Sequence, residues 1–381
     1  MSEWKKVKLD DCLELITYGF TNPMPDTLSG PWKVTAKDIN NGRIVFETAR
    51  HTSQEAFDND LTDKSRPKKG DILLTKDGTL GRLAIVGDER VCINQSVALL
   101  RVNKDILSVS YLYYLLSTPL YQAKMLADAG GAAIKHIYIT RVNQLLIPCP
   151  SYDEQCLIAN ILSRYDSLIE NYQKQIKLLE EAAQRLYKEW FVDLRFPGHD
   201  NTKIVDGVPE GWEKKKVGDI TPIKTGKKDA NFGTSDGAYP FFTCSQEPIK
   251  APSYSFDANA VILAGNGDFN VKLYRGKFEA YQRTYVLEPN DPSMLYLLYY
   301  CVYVNMNKLA TGASGSTIKF LTKGMIDSLE MFVPIETIVA RFNLYIESIQ
   351  SEKESIQSQI RLLTEARDRL LPKLMSGEIA V

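Results

Sequence analysis

The chain has 381 residues, more than a single hydrophobic core usually organises, so two domains joined by connectors are expected. Its 44% hydrophobic and 24% charged residues exclude a disordered or fibrous protein, and its formal net charge of −1 excludes a nonspecific basic coat on DNA. The start, MSEWKKVKLDD, has no apolar run, and no other stretch approaches the ~20 apolar residues of a membrane span. We therefore expect a cytoplasmic protein that does not contact a membrane.

The cysteines and histidines offer no metal site. The six cysteines lack C-x-x-C spacing, and three histidines are too few to complete a zinc cluster from sequence neighbours. We expect reduced thiols and no bound metal.

The first domain, over residues 1–150, is predicted to mix strands and helices. Short β-branched runs bounded by glycine and aspartate indicate strands at Gly70 to Thr75, Leu83 to Val86 and Ser96 to Val102. The segment from Ser110 to Leu116 is rich in leucine and tyrosine, and its pattern is compatible with a short helix or a buried strand.

A long helix follows, and residues 151–195 are predicted to form a central helical spacer. Apolar residues recur at steps alternating four and three, which is the heptad seam of a coiled coil. A run from about Asp153 to Trp190 would extend roughly 55 Å at ~1.5 Å per residue. The seam includes Ile158, Leu162, Ile169, Ile176, Leu179 and Leu186.

The second half of the chain repeats the first. IKLLEEAAQRL (Ile176 to Leu186) and IRLLTEARDRL (Ile360 to Leu370) share seven of eleven positions. DILLTKDG (Asp71 to Gly78) resembles AVILAGNG (Ala260 to Gly267), and INQSVALL at Ile93 loosely resembles AYQRTYVL at Ala280. A second mixed domain is therefore predicted over residues 196–335, with a C-terminal helical spacer over residues 336–381.

The second helix keeps the heptad register, but Lys353 and Arg367 interrupt it. Each seam needs a partner, and the economical solution packs the two helices against each other. The predicted fold is mixed α/β (α+β): two tandem domains, each followed by a long helix, with the helices packed as an antiparallel coiled coil in a pseudo-twofold internal repeat. The second seam includes Ile346, Ile349, Ile356, Ile360, Leu363 and Leu370.

A further apolar stripe lies outside the best seam of the first helix. It would either complete the packing of a helical hairpin or receive other subunits. Its members are Leu157, Ile161, Leu168 and Leu178.

The motifs of nucleotide and methyl-transfer enzymes are missing from the sequence. No G-x-x-x-x-G-K-[ST] loop is present, and neither a glycine-rich turn for S-adenosylmethionine nor an Asn/Asp-Pro-Pro-aromatic motif occurs. Asp71 with Lys76 is the nearest local candidate for a metal-dependent nuclease. The repeat places Ala260 and Gly265 at those positions, so we expect no catalytic residue in this chain.

Basic and polar residues on turns beside strands are instead candidates for DNA contacts. Two basic runs, from Lys64 to Arg82 and from Lys214 to Lys228, could neutralise phosphates, although a charge run is often only a solvated face. The glycine-rich turns ending at Lys135 and Lys319 would allow close backbone approach to a phosphate. The candidates are Lys76, Thr79, Arg82, Gln95, Lys135, Lys227, Lys228, Asn266, Gln282, Arg283, Ser316 and Lys319.

The order of domain, P-x-x-x-E-Q-x-x-I helix, domain and helix resembles the specificity subunits of Type I restriction-modification systems. The resemblance covers essentially the whole chain, although the counterpart of Gln155 is lost in PIETIVARF. Its most specific segments are IPCPSYDEQCLIANIL (Ile147 to Leu162), LYKEWFVDLRFPG (Leu186 to Gly198), VPEGWE (Val208 to Glu213) and LLPKLMSGEIAV (Leu370 to Val381).

This resemblance implies a DNA-binding, non-catalytic subunit with two target recognition domains that read a split, asymmetric site on double-stranded DNA. It implies two DNA adenine methyltransferase subunits as partners, and restriction and translocation subunits as further partners. S-adenosylmethionine, ATP and magnesium would belong to those partners, so no cofactor is expected on this chain.

Two other interpretations fit the same residues. A scaffold whose coiled coil joins two protein-binding modules would agree with the near-neutral charge, and steeply salt-dependent duplex binding would argue against it. An enzyme that uses one domain and keeps the other as a relic is disfavoured by the missing motifs.

Overall fold

The computed structural model describes residues 4–127, 136–313, 315 and 319–381. The chain divides into two compact units. Unit 1 combines the chain up to Asn171 with Gln359–Val381, and unit 2 is Tyr172–Ser358. Both long helices therefore contribute one half to each unit. Among the described residues, no helix combines the length and apolarity that crossing a membrane requires.

Within the described residues, the first repeat contains eleven strands and four short α-helices before the first long helix. The strands are β1 (Lys5–Lys8), β2 (Leu13–Tyr18), β3 (Thr27–Val34), β4 (Ile39–Asn40), β5 (Arg43–Ile44), β6 (Arg50–His51), β7 (Ile72–Thr75), β8 (Leu83–Ile85), β9 (Val91–Ile93), β10 (Val97–Val102) and β11 (Leu146–Cys149). The helices are α1 (Gln54–Asn59), α2 (Val109–Ser117), α3 (Pro119–Leu126), α4 (Ile139–Val142) and the long α5 (Tyr152–Phe191).

The main sheet of unit 1 is antiparallel, in the order β2-β10-β7-β8, and a second sheet has the order β6-β3-β9. Successive side chains of a strand point to opposite faces. Accordingly, Ile72 and Leu74 pack with α2 and the long helices, whereas Leu73 packs towards β3 and β9. Each fully buried residue of this size stabilises the fold by about 1.5–3 kcal/mol. The predicted strands are confirmed, and the segment left undecided is helix α2.

In the part of the second repeat that the structure describes, ten strands and four short α-helices precede the second long helix. The strands are β12 (Ile204–Val205), β13 (Val208–Pro209), β14 (Glu213–Lys216), β15 (Ile223–Thr225), β16 (Tyr239–Phe242), β17 (Ile249–Ala251), β18 (Phe256–Ala264), β19 (Val271–Ala280), β20 (Thr284–Leu287) and β21 (Glu330–Val333). The helices are α6 (Val217–Ile220), α7 (Leu295–Val304), α8 (Met306–Gly312), α9 (Lys323–Asp327) and the long α10 (Glu336–Ser376).

The sheet of unit 2 repeats the strand pairings of the two main sheets of unit 1 in one continuous sheet. Its six strands follow the order β15-β20-β18-β19-β16-β17. β19 pairs antiparallel with β18 and continues into a parallel pairing with β16. In unit 1 these two roles fall to separate strands, because β8 pairs with β7 and β9 pairs with β3. The internal repeat predicted from the sequence is therefore confirmed.

Capping hydrogen bonds and residues with a left-handed backbone mark the ends of the long helices. At the start of α5, the Ser151 hydroxyl and backbone N–H donate to the Glu154 carboxylate at 2.8 and 3.0 Å, and the Glu154 N–H donates back to Ser151 Oγ. The helix ends at Phe191, and three residues later Leu194 has a left-handed φ of 56°. α10 ends before Gly377, which has a φ of 74°.

α5 and α10 run antiparallel and form an ion pair with each other in each unit. In unit 1, Asp166 pairs with Arg367 at 2.6 Å, and in unit 2, Glu180 pairs with Lys353 at 2.7 Å. As the residue number increases along α5, the number of the residue that it contacts on α10 therefore decreases. The two basic residues that interrupt the heptad pattern each pair with an acidic residue of the other helix.

None of the twelve predicted seam residues is exposed. Five are buried, namely Ile158, Leu162, Ile169, Ile346 and Ile356. Seven are partly buried, namely Ile176, Leu179, Leu186, Ile349, Ile360, Leu363 and Leu370.

Candidate nucleic-acid interface

Each unit carries a loop edge at one end of its main sheet, formed by three segments that hydrogen-bond to one another. In unit 1 they are the residues after β2, the turn after β7 and the β9–β10 turn, joined by the Gln95 N–H to the Phe20 carbonyl and the Lys76 N–H to the Ser96 carbonyl, both 2.9 Å. A fourth strip crosses the edge at His136, which bridges to Asp77.

The loop edge of unit 2 has the same backbone contacts. The Gln282 N–H donates to the Lys228 carbonyl at 2.9 Å, and the Gly265 N–H donates to the Arg283 carbonyl at 2.8 Å. Asn266 bridges to Phe320, as Asp77 does to His136. The two loop edges are thus one backbone frame with different side chains.

A glycine holds the first segment of each loop edge against the turn that precedes β10 or β20. A Cβ atom on Gly19 would lie 1.7 Å from the Ile93 carbonyl oxygen, and one on Gly226 would lie 1.9 Å from that of Ala280. Neither position can accept a side chain without moving the loop, so both glycines are needed for this geometry.

In unit 1 the loop edge presents a cation beside an aromatic ring. Lys76 Nζ lies 2.6 Å from Asp77 and 5.3 Å from the ring centre of Tyr18. Only 15% of the Lys76 side chain is exposed, whereas Tyr18 is 45% exposed. A phosphate at Lys76 would have to compete with Asp77, while the half-exposed Tyr18 ring is accessible for contact from solvent.

Gln95 and Thr79 are also on this edge, with exposed side chains on a fixed backbone. Arg82 differs because its guanidinium donates to the Ile39 carbonyl at 3.0 Å and its N–H donates to Thr75 Oγ1 at 2.9 Å. The structure therefore brings Lys76, Gln95 and Thr79 to one edge and ties the Arg82 side chain to β4.

In unit 2 the candidates are mainly amide and cationic groups, and Lys228 among them is partly buried. Gln282 Nε2 donates to Asp229 at 2.7 Å, and Lys228 Nζ lies 4.4 Å from the ring centre of Phe232. Lys227, Arg283 and Lys319 are exposed.

A polar network beside Asn266 was not predicted from the sequence. The Cys244 thiol donates to Asn266 Oδ1 at 2.7 Å, and Gln246 Nε2 donates to Asp268 at 2.7 Å. Lys272 Nζ donates to the Ser245 carbonyl at 2.9 Å, and burial lowers the pKa of Lys272. The only signal in the sequence was a polar TCSQ run following a β-rich segment, which is also typical of an ordinary turn.

The two basic runs do not present all their charges to solvent unpaired. Lys69 pairs with Asp88 at 2.7 Å, Lys214 with Glu330 at 2.7 Å, and Lys224 with Glu288 at 3.2 Å. Lys214 lies on β14, outside the loop edge, and its ammonium lowers the pKa of Glu330. These lysines are therefore weaker candidates for phosphate contacts than Lys227 and Lys319.

Asp71 and Lys76, the residues considered for nuclease chemistry, have separate partners. The buried Asp71 carboxylate accepts two hydrogen bonds from Arg101, at 3.0 and 2.7 Å, and one from the Lys68 N–H. Within the described parts of the chain, no group of three or more histidine, cysteine or acidic side chains is placed to hold a metal ion.

Lys135 and Ser316 lie outside the described residues, so their predicted contacts stay predictions. On the helices, the stripe proposed outside the seam is largely exposed. Leu157, Leu168 and Leu178 are 50%, 47% and 63% exposed, whereas Ile161 packs against the core of unit 1.

Comparison with known proteins agrees with this duplicated arrangement. A specificity subunit of a Type I restriction enzyme from Methanocaldococcus jannaschii, MjaIX, is 28% identical over 384 residues, covering 92% of this chain and 87% of the relative. The HindI specificity subunit of Haemophilus influenzae is 24% identical over the full length of both chains. The crystal structure of a Type I S subunit from M. genitalium superposes with a TM-score of 0.58 at 18% identity, covering 98% of this chain and 96% of that one.

The family model described as the Type I restriction modification DNA specificity domain matches residues 1–181 and again residues 209–361. The two matches fall on the two copies of the repeat, and together they account for most of the chain. The chain therefore belongs to the family of Type I restriction-modification DNA specificity proteins.

Proposed function

We propose that this chain is the DNA-specificity subunit of a Type I restriction-modification complex and that each unit reads one half of a bipartite, asymmetric site. The observation that carries this proposal is the loop edge, which is built twice with the same backbone hydrogen bonds and different side chains. Two domains that read different half-sites need the same backbone arrangement and different side chains for their base contacts.

The exposed groups on the loop edges suit contacts with a DNA major groove. A glutamine amide can bond to N6 and N7 of adenine, and a guanidinium can bond to O6 and N7 of guanine. Gln95, Gln282 and Arg283 have exposed side chains for such contacts. The ammonium groups of Lys227 and Lys319 would position the duplex through its phosphates.

The paired helices would set the distance between the half-sites. Removing one heptad from both α5 and α10 should shorten the gap in the preferred site by about three base pairs, since a heptad rises ~10.5 Å and a base pair ~3.4 Å. An unchanged gap would show that the helices are not the spacer.

The same helices offer surfaces for two methyltransferase subunits. Leu178 and Leu362 occupy equivalent positions of the repeat and are 63% and 56% exposed. Leu178→Glu with Leu362→Glu should abolish co-purification of the methyltransferase subunit. Lys177→Glu with Arg361→Glu is the matched control, because neighbouring helix residues point about 100° apart. Restriction and translocation subunits would join the same complex, and the chain itself would be non-catalytic and carry no cofactor.

The deciding experiment is sequencing of adenine methylation in cells that express the methyltransferase subunit with and without this chain. We expect a bipartite, asymmetric motif that appears only when the chain is present. If methylation is unchanged while the subunits co-purify, the chain is a scaffold that joins two protein-binding modules.

A further inference from the structure

The seam between the long helices contains two ion pairs, and in both of them α5 supplies the acid. Asp166 pairs with Arg367 at 2.6 Å and Glu180 with Lys353 at 2.7 Å. The pairs lie two heptads apart on each helix, so both belong to one antiparallel register. The side chains of Lys353 and Arg367 are only 15% and 28% exposed, which places both cations within the helix packing.

The repeat shows which residues would meet if one helix paired with a second copy of itself. Ala183 and Ile169 hold the positions in α5 that Arg367 and Lys353 hold in α10. A second α5 in place of α10 would therefore set Ala183 opposite Asp166 and Ile169 opposite Glu180. Both ion pairs would be lost, and Asp166 and Glu180, with side chains 34% and 47% exposed at the border of the seam, would lack their cation on the partner helix.

A second α10 in place of α5 would also lose both ion pairs. Gln350 and Thr364 hold the positions of Asp166 and Glu180, so a second α10 would set Gln350 opposite Arg367 and Thr364 opposite Lys353. Lys353 would then lie in the seam without its carboxylate, and Arg367 would keep only Asp368 of its own helix, at 2.8 Å. Charged groups that lose their partner within a packed interface cost more than the pair gains when it is made.

The layers that are charged in one unit are neutral in the other. In unit 1, the Tyr114 hydroxyl donates to Asp166 at 2.6 Å, which adds a bond from the recognition domain to the Asp166–Arg367 pair. In the matching layer of unit 2, Gln350 lies next to the Tyr300 hydroxyl and Ala183 is fully buried. The duplication therefore kept the aromatic anchor and changed the charge of the helix residues around it.

We propose that these four charges make α5 and α10 select each other and reject a second copy of either helix. The partner that fits the seam of α5 is a helix with basic residues at the Lys353 and Arg367 positions. The second half of this chain has that pattern, and the first half of another copy does not. Polar residues within a coiled-coil seam fix register and partner in this way.

The test uses the folded full-length chain, cut once at the exposed β12–β13 turn at Asp206 and Gly207. The cut leaves α5 on one fragment and α10 on the other. After long incubation of the cut protein, native mass spectrometry counts the pairs formed by the two different fragments, called mixed pairs, and the pairs formed by two identical fragments. We expect at least about a tenfold excess of mixed pairs over the statistical ratio, which corresponds to ~1.4 kcal/mol.

The decisive variant gives both helices the same residues at the charged positions of the seam, by using residues that the chain already contains at the equivalent positions. It combines Asp166→Gln and Glu180→Thr in α5 with Lys353→Ile and Arg367→Ala in α10. We expect the excess of mixed pairs to disappear. An unchanged excess in this variant, or a statistical ratio in the native sequence, would overturn the proposal.

Exchange of one pair is the control for simple loss of stability. Asp166→Arg with Arg367→Asp keeps opposite charges across the seam, so it should keep the excess of mixed pairs. If the fourfold variant does not fold, the uncut chain still gives an answer. Asp166→Arg alone should lower the urea midpoint and adding Arg367→Asp should restore it, whereas no restoration would show that the charges do not recognise each other.

Discussion

The two recognition domains hold the long helix that follows them by different chemistry. In unit 1, the buried amide of Gln155 accepts from the Ser108 N–H at 2.8 Å and donates to the carbonyls of Ile106 and Pro150 at 3.2 and 3.0 Å. In unit 2 the equivalent position is Val339, which is 4% exposed in an apolar core.

In unit 2 the corresponding polar contact is made by Asn343, one helical turn further along α10. Asn343 Nδ2 donates to the Ser293 carbonyl at 2.7 Å, just before α7, as Gln155 binds at the start of α2. The duplicated fold therefore preserves where the helix attaches and leaves the bonding groups free to change. This explains why losing the glutamine did not cost the second copy its helix.

A second contrast concerns charge beneath the sheet. Unit 1 buries Asp71 against Arg101, and unit 2 has the fully buried Ala260 at the position of Asp71. The same strand position is therefore compatible with an ion pair or with a methyl group. What cannot be tolerated is half of the pair, because a buried charge without a partner is strongly unfavourable.

The largest expected effect follows from that argument. Asp71→Ala should lower the free energy of unfolding of unit 1 by about 3 kcal/mol, because Arg101 and the Lys68 N–H lose their acceptor. Urea denaturation followed by hydrogen exchange in β7 and β10 would measure it.

The double variant Asp71→Ala with Arg101→Leu is the control, because it removes both charges and leaves neither half of the pair buried alone. It should recover most of the lost stability. If the double variant is as unstable as the single one, the pair is not the reason for the loss.

A smaller effect is expected for the hydrogen bonds by which Gln155 and Asn343 attach the long helices to the two domains. Gln155→Leu should cost about 2 kcal/mol, since it leaves the Ser108 N–H and two carbonyls without their partner in a buried place. Asn343→Ala should cost about 1 kcal/mol, because one hydrogen bond at a less buried position is lost. Equal losses at the two sites, measured by urea denaturation, would contradict the comparison of these hydrogen bonds.

Much of the fold follows from the sequence because its signals are local or repeated. The heptad steps predict α5 to within a residue at each end, and the eleven-residue repeat in the two helices reveals the duplication. The strands of unit 1 stand out because β-branched runs are bounded by turn residues. These patterns act over short distances along the chain, where propensity and periodicity are informative.

The candidate site is less predictable because its properties depend on contacts between distant segments. Lys69, Lys214 and Lys224 look like available cations in the sequence, yet their acidic partners lie on other strands or loops. Arg82 appears on a turn with Thr79, but the Ile39 carbonyl holds its side chain. The alignment of the repeat did locate both glutamines correctly at the same place in the two loop edges.

Gln95 and Gln282 allow the two loop edges to be compared by the DNA sequence that each one selects. Gln95→Ala should relax discrimination at one position of one half-site by about 1–3 kcal/mol, and Gln282→Ala should do the same in the other half-site only. Methylation sequencing of each variant would show which half of the motif loosens. Lys224→Ala is the control, because its ion pair with Glu288 is exposed and both halves should be unaffected. Loosening of both halves by one glutamine variant would mean that the units do not read separately.

The smallest effect concerns Lys272, which stands on β19 where the corresponding residue of unit 1 is the buried Ala84. Burial lowers the pKa of Lys272, so the folded chain holds fewer protons than the unfolded chain at pH values between the lowered pKa and the ordinary one. The free energy of unfolding should therefore rise with pH across that alkaline window, because the cost of burying the ammonium disappears as it loses its proton. Lys272→Met should flatten the rise, and Lys250→Met, at an exposed position on β17, should leave it. Urea midpoints measured from neutral pH upwards separate the two variants, and a slope that survives Lys272→Met would assign the alkaline dependence to another group.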